Sequence, residues 1–239
     1  MITLAIFTFK RKDRLLRCLQ TIDSNNVNEI LVFNDDETNN LTLDILGIEN
    51  PNIKIFNPSD WNFTGRKFRK PIYINKSIQI SKNNKILFSD DDGQFHHGAI
   101  DWHHDALEKY SFTAGAIIRD RLLNRVSKTI LQGTNYGFQK SFFKKLGGYD
   151  EVFCNSMGGG DVDFWYRIYN YSKANNEPCA YLPNAIQKVT GKGSRAKKDK
   201  LLNPKEYTLK KHALNINGPM YKWFPEIRNK NKWMTIING

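Results

Sequence analysis

Three consecutive carboxylates, Asp90, Asp91 and Asp92, form the part of this sequence best suited to chemistry. They follow an apolar run that ends in Ser89, and they precede Gly93. Adjacent carboxylates repel one another unless a cation lies among them. A hard divalent ion, Mg²⁺ or Mn²⁺, prefers oxygen ligands and commonly bridges one or two carboxylates to a substrate diphosphate. The cluster therefore predicts a metal-assisted diphosphate site, and an acidic turn that caps the next segment is the alternative.

A second polar group, Asn34-Asp35-Asp36, also follows an apolar run. Runs rich in β-branched and aromatic residues predict strands over 2–9, 30–33, 53–56 and 85–88. Apolar residues with helical spacing lie between them, over 15–22 and 72–80. This alternation predicts an α/β fold with a mostly parallel, twisted sheet covered by helices on both faces. Since ligands bind beyond the carboxyl ends of such strands, both acidic groups are expected at one edge.

In the second half of the chain, the sequence pattern predicts a less regular alternation of strands and helices. The expected elements are a helix over 99–109, a strand over 111–118, a short helix from Lys140, a turn over 147–151 and a helix that begins near Asp161. Residues 191–200 are rich in Gly and Lys and poor in apolar side chains, which predicts a mobile loop. This loop would separate the body of the protein from a C-terminal tail.

Length and composition indicate one globular domain with a tail. A chain of 239 residues can bury a core without disulfides, and its 40% apolar fraction and 15 Phe exclude wholesale disorder. Three cysteines without a C-x-x-C pair predict neither a disulfide framework nor a zinc knuckle, which favours a reducing, cytoplasmic compartment. The first nine residues lack a basic leader, and no run approaches the ~18 apolar residues of a membrane span. We therefore expect the chain to start with a strand.

The positive charge is concentrated near the C-terminus. The chain carries a net charge of +12, and residues 188–239 contribute +10 of it, from 13 basic and 3 acidic side chains. Such a segment attracts polyanions: a nucleotide diphosphate, an anionic membrane surface, a charged glycan or nucleic acid. A lysine-rich solvated surface is the alternative.

Four motifs resemble, in order, those of GT-A fold glycosyltransferases of the family 2 type, over roughly residues 2–170. They are Ile-Thr-Leu-Ala-Ile-Phe-Thr-Phe-Lys-Arg at 2–11, Ile-Leu-Val-Phe-Asn-Asp-Asp-Glu at 30–37, Ser-Asp-Asp-Asp-Gly at 89–93, which resembles the DxD motif, and Gly-Gly-Tyr-Asp-Glu at 147–151 with Gly-Gly-Gly-Asp-Val-Asp-Phe-Trp-Tyr-Arg at 158–167. The resemblance implies a Rossmann-like GT-A domain over 1–187. Its nucleotide-binding part would span about 1–93 and its acceptor-binding part about 94–187, with 188–239 as a basic extension packed on it.

For the donor, the resemblance implies a nucleotide sugar whose base is held by Thr8 and Asp35. The Asp35 carboxylate would accept the imide N–H of the base, which favours uridine or thymidine. Arg11 and Arg66 are further candidates for contacts with the nucleotide. Positive charge from such residues would stabilise the departing diphosphate.

The resemblance also implies roles for the acidic residues. Asp91 would lie near the ribose, Asp92 would ligate the metal, and Asp90 would support either. Asp161 matches the catalytic base of inverting members, which removes the proton of the acceptor hydroxyl. Capping of the helix is the alternative for Asp161, and Asp163 is the better candidate for a purely structural cap.

Two predictions concern the basic C-terminal segment. Three cations of the Gly- and Lys-rich loop are predicted to close over the donor diphosphate, with a functionless linker as the alternative: Arg195, Lys197 and Lys198. His212 is a candidate metal ligand, with a surface or packing role as its alternative. Residues that depart from the family pattern are Lys10, Asn34, Asp36 and Gly160. Gly160 stands where Glu commonly contacts the acceptor, so acceptor recognition is the least transferable feature.

Together these features predict a metal-dependent, inverting glycosyltransferase that uses a UDP-sugar. Within the family the commonest acceptor is a growing polysaccharide or lipid-linked glycan at the inner membrane face, where a basic tail would contact anionic lipid. A transferase that acts on modified bases of phage-type DNA is the second interpretation, and the basic segment is compatible with it. A non-catalytic nucleotide- or carbohydrate-binding module is the third. A nucleotidyltransferase is disfavoured because no Gly-rich phosphate loop follows the first strand.

Overall fold

The computed structural model describes residues 1–61, 68–119, 133–155, 159–190, 203–212 and 233–238. Its strands are β1 (Ile2–Thr8), β2 (Val27–Asn34), β3 (Ile53–Phe56), β4 (Lys85–Asp90), β5 (Gly93–Phe95), β6 (Phe112–Arg119), β7 (Tyr136–Gln139), β8 (Cys179–Val189) and β9 (Thr235–Ile236). Its α-helices are α1 (Lys12–Gln20), α2 (Leu43–Leu46), α3 (Lys70–Ile80), α4 (Ala99–Ala106), α5 (Lys140–Lys145), α6 (Gly160–Asn175) and α7 (Pro204–Lys211). Short 3₁₀ helices occupy Pro58–Trp61 and Glu151–Asn155.

The strands form one mixed sheet with mostly parallel pairing. In the described part of the chain the order is β3-β2-β1-β4-β7-β6-β8-β5, and β9 pairs with β8. β1 runs parallel to β2 and β4, β2 to β3, and β6 to β8, whereas β7 pairs antiparallel with β4 and β6. The predicted α/β fold, with a mostly parallel central sheet flanked by helices, is therefore confirmed.

Helices cover both faces of the sheet, and β1 shows how the sequence requires this. Every residue of β1 is buried. Ile6 belongs to the core cluster that includes Leu15 of α1, whereas the next residue, Phe7, belongs to the cluster that includes Tyr73 of α3. Because successive side chains of a strand point to opposite faces, a strand that is buried throughout must have both faces covered.

The predicted elements match closely in the first half of the chain and less well in the second. The helix expected over 99–109 ends at Ala106, where a turn replaces its last residues. The longest strand, β8, was not predicted, because Pro183 and Asn184 interrupt its apolar pattern. Its pairing with β6 shifts register there, since Gly115 pairs with Leu182 and Ala116 with Ile186. β8 also runs through residues 187 and 188, where we predict the boundary of the basic extension.

The carboxyl ends of β1, β2 and β4 meet at one edge of the sheet. In the strand pairing Thr8 lies opposite Asn34, and Phe7 lies opposite Asp90. The backbone N–H of Asp35 donates to the carbonyl oxygen of Thr8 at 2.8 Å, which continues this pairing beyond the strands. The two acidic groups therefore lie at the same edge, as the strand pattern predicts. None of the helices in the described ranges is both long and apolar enough to cross a membrane.

Candidate active site

Asp91 is buried at the centre of this edge and is held by two residues of the β1–α1 turn. The Thr8 hydroxyl donates to Oδ2 of Asp91 at 2.7 Å. Arg11 donates from Nε to the same oxygen at 3.0 Å, and its Nη2 lies 2.6 Å from Oδ1. Burial raises the pKa of Asp91 to about 7, although Arg11 and Thr8 act in the opposite direction. These three residues form one buried unit, and their contacts with a nucleotide stay predictions.

Asp92 turns towards α1. Its Oδ2 lies 3.3 Å from Nη1 of Arg11 and 3.8 Å from Nη1 of Arg14, and its side chain is 11% exposed. Burial and the neighbouring Asp90 raise the pKa of Asp92, against the two arginines. Within the described ranges, its Oδ1 has no hydrogen bond or ion pair. One oxygen of Asp92 is thus engaged by cations, and the other has no partner among the described residues.

Asp90, the last residue of β4, contacts α3 instead. Its Oδ1 lies 2.5 Å from the ammonium nitrogen of Lys70, which also donates to the carbonyl oxygen of Gly133 at 2.7 Å. Burial by itself lowers the pKa of Lys70, but the carboxylates of Asp90 and Asp161 outweigh it and leave the pKa raised. The consecutive carboxylates therefore have different partners, guanidinium groups for Asp91 and Asp92 and an ammonium group for Asp90.

Asp161 lies in the first turn of α6 and borders the same space as this ammonium group. Gly159 precedes the helix with φ +90°, a conformation that favours glycine. A Cβ atom on Gly133 would lie 2.8 Å from Oδ2 of Asp161 and 3.1 Å from Nζ of Lys70, so both groups border the same small space. The fold thus places the base candidate from α6 next to Asp90 from β4, although 70 residues separate them in sequence.

Tyr149 holds the other oxygen of Asp161. Its hydroxyl donates to Oδ1 of Asp161 at 2.6 Å. Burial and Asp161 raise the pKa of Tyr149 well above its ordinary value, so this hydroxyl keeps its proton and remains a donor. Oδ2 of Asp161 is left facing the space beside Gly133.

The predicted turn over 147–151 positions Tyr149. Gly147 and Gly148 have φ +75° and +76°, which explains the glycine pair. Asn75 of α3 clamps the turn, since its side chain accepts from the Tyr149 N–H at 2.7 Å and donates to the Tyr149 carbonyl at 2.9 Å. Arg167 of α6 donates to the carbonyl oxygen of Gly148 at 2.6 Å. The Gly-Gly-Tyr motif therefore serves to bring one hydroxyl to Asp161.

A buried series of hydrogen-bonded side chains supports the backbone of the acidic cluster. Gln187 of β8, which is fully buried, donates to the Ser89 hydroxyl at 2.7 Å and accepts from the Thr134 hydroxyl at 2.7 Å. Thr134 in turn accepts the backbone N–H of Asp90 at 3.0 Å. This hydrogen-bonded series fixes the backbone at the end of β4, because each buried polar atom in it has the next one as its hydrogen-bond partner.

Asp35 faces α3 rather than open space. Its Oδ2 accepts the backbone N–H of Arg69 at 3.2 Å, and its Oδ1 lies 2.9 Å from Nη1 of the same residue. Burial raises the pKa of Asp35, although Arg69 opposes this. Arg69 also pairs with Glu37. The recognition of a base by Asp35 stays a prediction, and a base that approached Asp35 would also meet Arg69.

Helix α7 docks beside the first turn of α6. Asp163 is fully buried and does not cap the helix, contrary to the prediction, because Gly159 holds the capping position. Instead Oδ1 of Asp163 lies 2.8 Å from Nε2 of His212 and 2.9 Å from Nζ of Lys211. The structure thus places His212 against Asp163, and its role as a metal ligand stays a prediction.

The carboxylates fit a metal ion only in combination with a substrate. Among the described residues, no group of three or more His, Cys, Asp and Glu side chains is arranged to hold a metal ion. Mg²⁺ in phosphate sites needs only one or two protein carboxylates and completes its shell with phosphate and water. Asp92, with one oxygen unpaired among the described residues, fits that arrangement, and Asp90 is the second candidate.

Two cavities adjoin these residues. A cavity of about 580 Å³, within the size range of small-molecule sites, lies between the β1–α1 turn and the loop after β2. Its polar lining includes Lys10, Arg11, Asn34, Asp36 and Asn39. A smaller cavity of about 50 Å³ lies beside Asp161 and is lined by Phe68, Lys70, Pro71, Tyr149, Phe153 and Gly160. The large cavity suits a nucleotide, and the small one suits a single polar group brought to Asp161.

Four predicted site residues lie outside the described residues: Arg66, Arg195, Lys197 and Lys198. Other residues of the site were not singled out from the sequence. Tyr149 stands in the predicted turn over 147–151 without a chemical role, and the sequence analysis assigns no role to Gly133 or Lys70. Pro71 offered a signal for Lys70, since a proline at the start of a helix places the preceding residue at its N-terminus.

Comparison with known proteins supports the fold and leaves the family open. No protein-family model matches the chain, and no curated protein matches it in sequence. In structure it matches 317 chains, so the fold is widely shared. Among them is the crystal structure of S. aureus TarS 1-349, with a TM-score of 0.55 and 14% sequence identity over 80% of this chain.

This chain spans 58% of the TarS chain that it matches. The TarS fold is GT-A, so the match agrees with an α/β fold that has a mixed, mostly parallel central sheet flanked by helices. Identity this low shows a likeness of fold alone, because one fold supports many activities. Function must therefore be argued from the site.

Proposed function

We propose that this chain is a glycosyltransferase that moves a sugar from a nucleotide-sugar donor to an acceptor hydroxyl. One observation carries the proposal: Lys70, paired with Asp90, borders the same space as Asp161, at the carboxyl edge of a GT-A sheet. Acceptor activation needs a base, and departure of a diphosphate needs positive charge. The site offers a carboxylate and an ammonium group that border the same space.

The donor would lie along the carboxyl ends of β1, β2 and β4. We assign its nucleotide to Thr8, Arg11 and Asp35, with a uridine base as the first expectation. Asp91 would lie near the ribose. The cavity of about 580 Å³ beside the β1–α1 turn supports the Arg11 part of this placement, because it is large enough for a nucleotide and Arg11 belongs to its lining.

We assign a divalent ion, Mn²⁺ or Mg²⁺, to Asp92 with Asp90 as its second carboxylate. When bound, the ion would supply positive charge to the diphosphate. Arg66, Arg195, Lys197 and Lys198 remain candidates for further contacts with the donor, and His212 for the metal shell.

Asp161 would act as the base of an inverting transfer. As the acceptor oxygen forms its bond to the anomeric carbon, its proton passes to Asp161, and the bond from that carbon to the diphosphate breaks with its electron pair on the phosphate oxygen. The Tyr149 hydroxyl at 2.6 Å holds one carboxylate oxygen, which orients the other towards the reaction.

For the acceptor, we propose a glycan or lipid-linked glycan, with the protein cytoplasmic and in peripheral contact with an anionic inner membrane face. The net charge of +10 over residues 188–239 supports an acceptor or membrane surface that carries many negative charges. The same charge supports a second candidate, transfer to modified bases of nucleic acid. Salt-sensitive binding of duplex DNA would favour the second candidate, and binding to anionic vesicles alone would favour the first. A module that binds nucleotide or carbohydrate without turnover is a third outcome.

The proposal is tested by calorimetric titration with UDP-, dTDP- and GDP-sugars, with and without Mn²⁺. The wild type should bind one uridine sugar more tightly with the metal, and Asp92→Ala should lose that gain. Asp44→Ala, an exposed carboxylate on α2, is the matched control and should bind like the wild type. A wild type that binds no nucleotide sugar would contradict the proposal.

A further inference from the structure

Lys70 occupies the centre of the candidate active site, in a fixed position. Its ammonium nitrogen lies 2.5 Å from Asp90 Oδ1, 2.7 Å from the Gly133 carbonyl oxygen, and 5.4 Å from the centre of the Phe7 ring. Only 14% of its side chain is exposed. To leave this position, Lys70 would have to break both hydrogen bonds and leave Asp90 unpaired.

The ammonium group has one hydrogen to spare. A lysine ammonium carries three N–H donors. Asp90 and Gly133 accept two of them, and no described residue accepts the third. A donor held in place by the protein stabilises developing negative charge better than water does, because it needs no reorganisation during the reaction.

The space next to this ammonium group is shared with the base candidate. A Cβ atom on Gly133 would lie within 3.1 Å of Lys70 Nζ and within 2.8 Å of Asp161 Oδ2. Gly133 therefore leaves open a gap that any other residue would fill. An acceptor hydroxyl placed at Asp161 and the leaving oxygen of a donor placed at Lys70 would therefore border the same space.

We propose that Lys70 binds the phosphate oxygen that leaves the anomeric carbon of the donor. This inference rests on the proposed transferase function and names a catalytic residue for it. When the bond from carbon to phosphate oxygen breaks, its electron pair stays on that oxygen, and Lys70 stabilises the charge with a hydrogen bond while it keeps its own proton. Asp90 acts as a positioning residue for Lys70, because its Oδ1 holds the ammonium group and does not itself touch the substrate.

The experiment compares Lys70→Met with Lys70→Arg and with Lys76→Met, a matched control on the same helix. Calorimetry with uridine and with UDP, both in EDTA, isolates binding of the diphosphate from binding of the base. Lys70→Met should weaken UDP binding by about tenfold or more, with uridine binding unchanged. Hydrolysis of the donor should slow by on the order of 100-fold. Lys70→Arg should restore part of both, and Lys76→Met should behave like the wild type.

Equal UDP affinity in Lys70→Met and wild type, or a parallel loss of uridine and UDP affinity, would overturn the inference. If Lys70→Met does not fold because Asp90 is left without a partner, the double variant K70M/D90N replaces it and is compared with D90N. The two proposals fail differently. A wild type that binds no nucleotide sugar of the panel contradicts the transferase function, whereas a wild type that binds UDP independently of Lys70 contradicts only this inference.

Discussion

His212 Nε2 lies 2.8 Å from Oδ1 of Asp163, and this contact ties the end of α7 to the first turn of α6. Asp163 is fully buried, and Arg167 also pairs with it at 3.0 Å. Asp161, the base candidate, lies two residues earlier on the same helix. The basic C-terminal segment is thus connected to the helix that carries the base.

Asp163→Asn should lower the free energy of unfolding by about 3 kcal/mol, because removing one member of a buried ion cluster leaves the other charges uncompensated. Urea denaturation followed by circular dichroism measures the change. Glu206→Gln is the control, because the exposed pair of Glu206 with Lys210 should contribute little. An equal midpoint for wild type and Asp163→Asn would show that the cluster does not hold α7.

The stabilisation from Asp163 should disappear in acid. Burial by itself raises the pKa of Asp163, but the hydrogen bond from His212 and the charge of Arg167 outweigh it and lower the pKa to about 2, from 3.8 for a free carboxyl group. A carboxyl group whose pKa is lower in the folded state stabilises the protein at pH values above its pKa in the unfolded state. That contribution is lost as the pH falls through its pKa in the folded state.

The difference in unfolding free energy between wild type and Asp163→Asn should therefore be constant above about pH 4 and shrink by ~2 kcal/mol as the pH falls to about 2. Denaturant titrations at several pH values give the difference directly. A difference that stays constant down to pH 2 would refute the assigned role of the ion cluster.

Gly133→Ala should reduce turnover more than stability. The added Cβ would lie 2.8 Å from Oδ2 of Asp161, which is too close, and the end of that side chain can move aside. Displacing a reacting group by about 1 Å can cost on the order of 100-fold in rate. Donor hydrolysis and the melting temperature should be measured together. Unchanged hydrolysis would show that the gap beside Gly133 is not used.

Gln187→Leu should destabilise the protein by about 2 kcal/mol, because the hydroxyls of Ser89 and Thr134 would lose their buried partner. Metal-dependent donor binding should weaken as well, since the last hydrogen bond of this buried series is made by the backbone N–H of Asp90. Gln94→Leu on β5 is the control, as the Gln94 side chain has no hydrogen bond to a described residue. Identical donor binding by wild type and Gln187→Leu would show that these buried hydrogen bonds do not affect the donor site.

The first half of the fold was predictable because its signals are local. β1 and β4 each contain a continuous apolar run, over 4–7 and 86–88, and the run of β4 leads directly into the acidic cluster. Such runs leave few alternatives to a buried strand of the central sheet. β8 was not predictable in the same way. Its pairing with β6 is long-range, and Pro183 obscures the pattern that would have revealed it.

The candidate site was predictable in its residue types and less so in its contacts. The acidic cluster and Asp161 could be chosen by resemblance, but their pairing with Arg11 and Lys70 depends on how α1 and α3 pack against the sheet. No sequence pattern places Lys70 between two carboxylates from β4 and α6. Asp163 shows the same limit, since its partner His212 follows 49 residues later.

The proposed function depends above all on Asp161, which would act as the base beside a nucleotide sugar bound at the acidic cluster. The most direct test measures the rate of donor hydrolysis by wild type and by Asp161→Asn, at saturating donor and with donor affinity measured in parallel. We expect Asp161→Asn to bind the donor like the wild type and to hydrolyse it on the order of 100-fold or more slowly. Equal hydrolysis rates at equal donor affinity would contradict the claim.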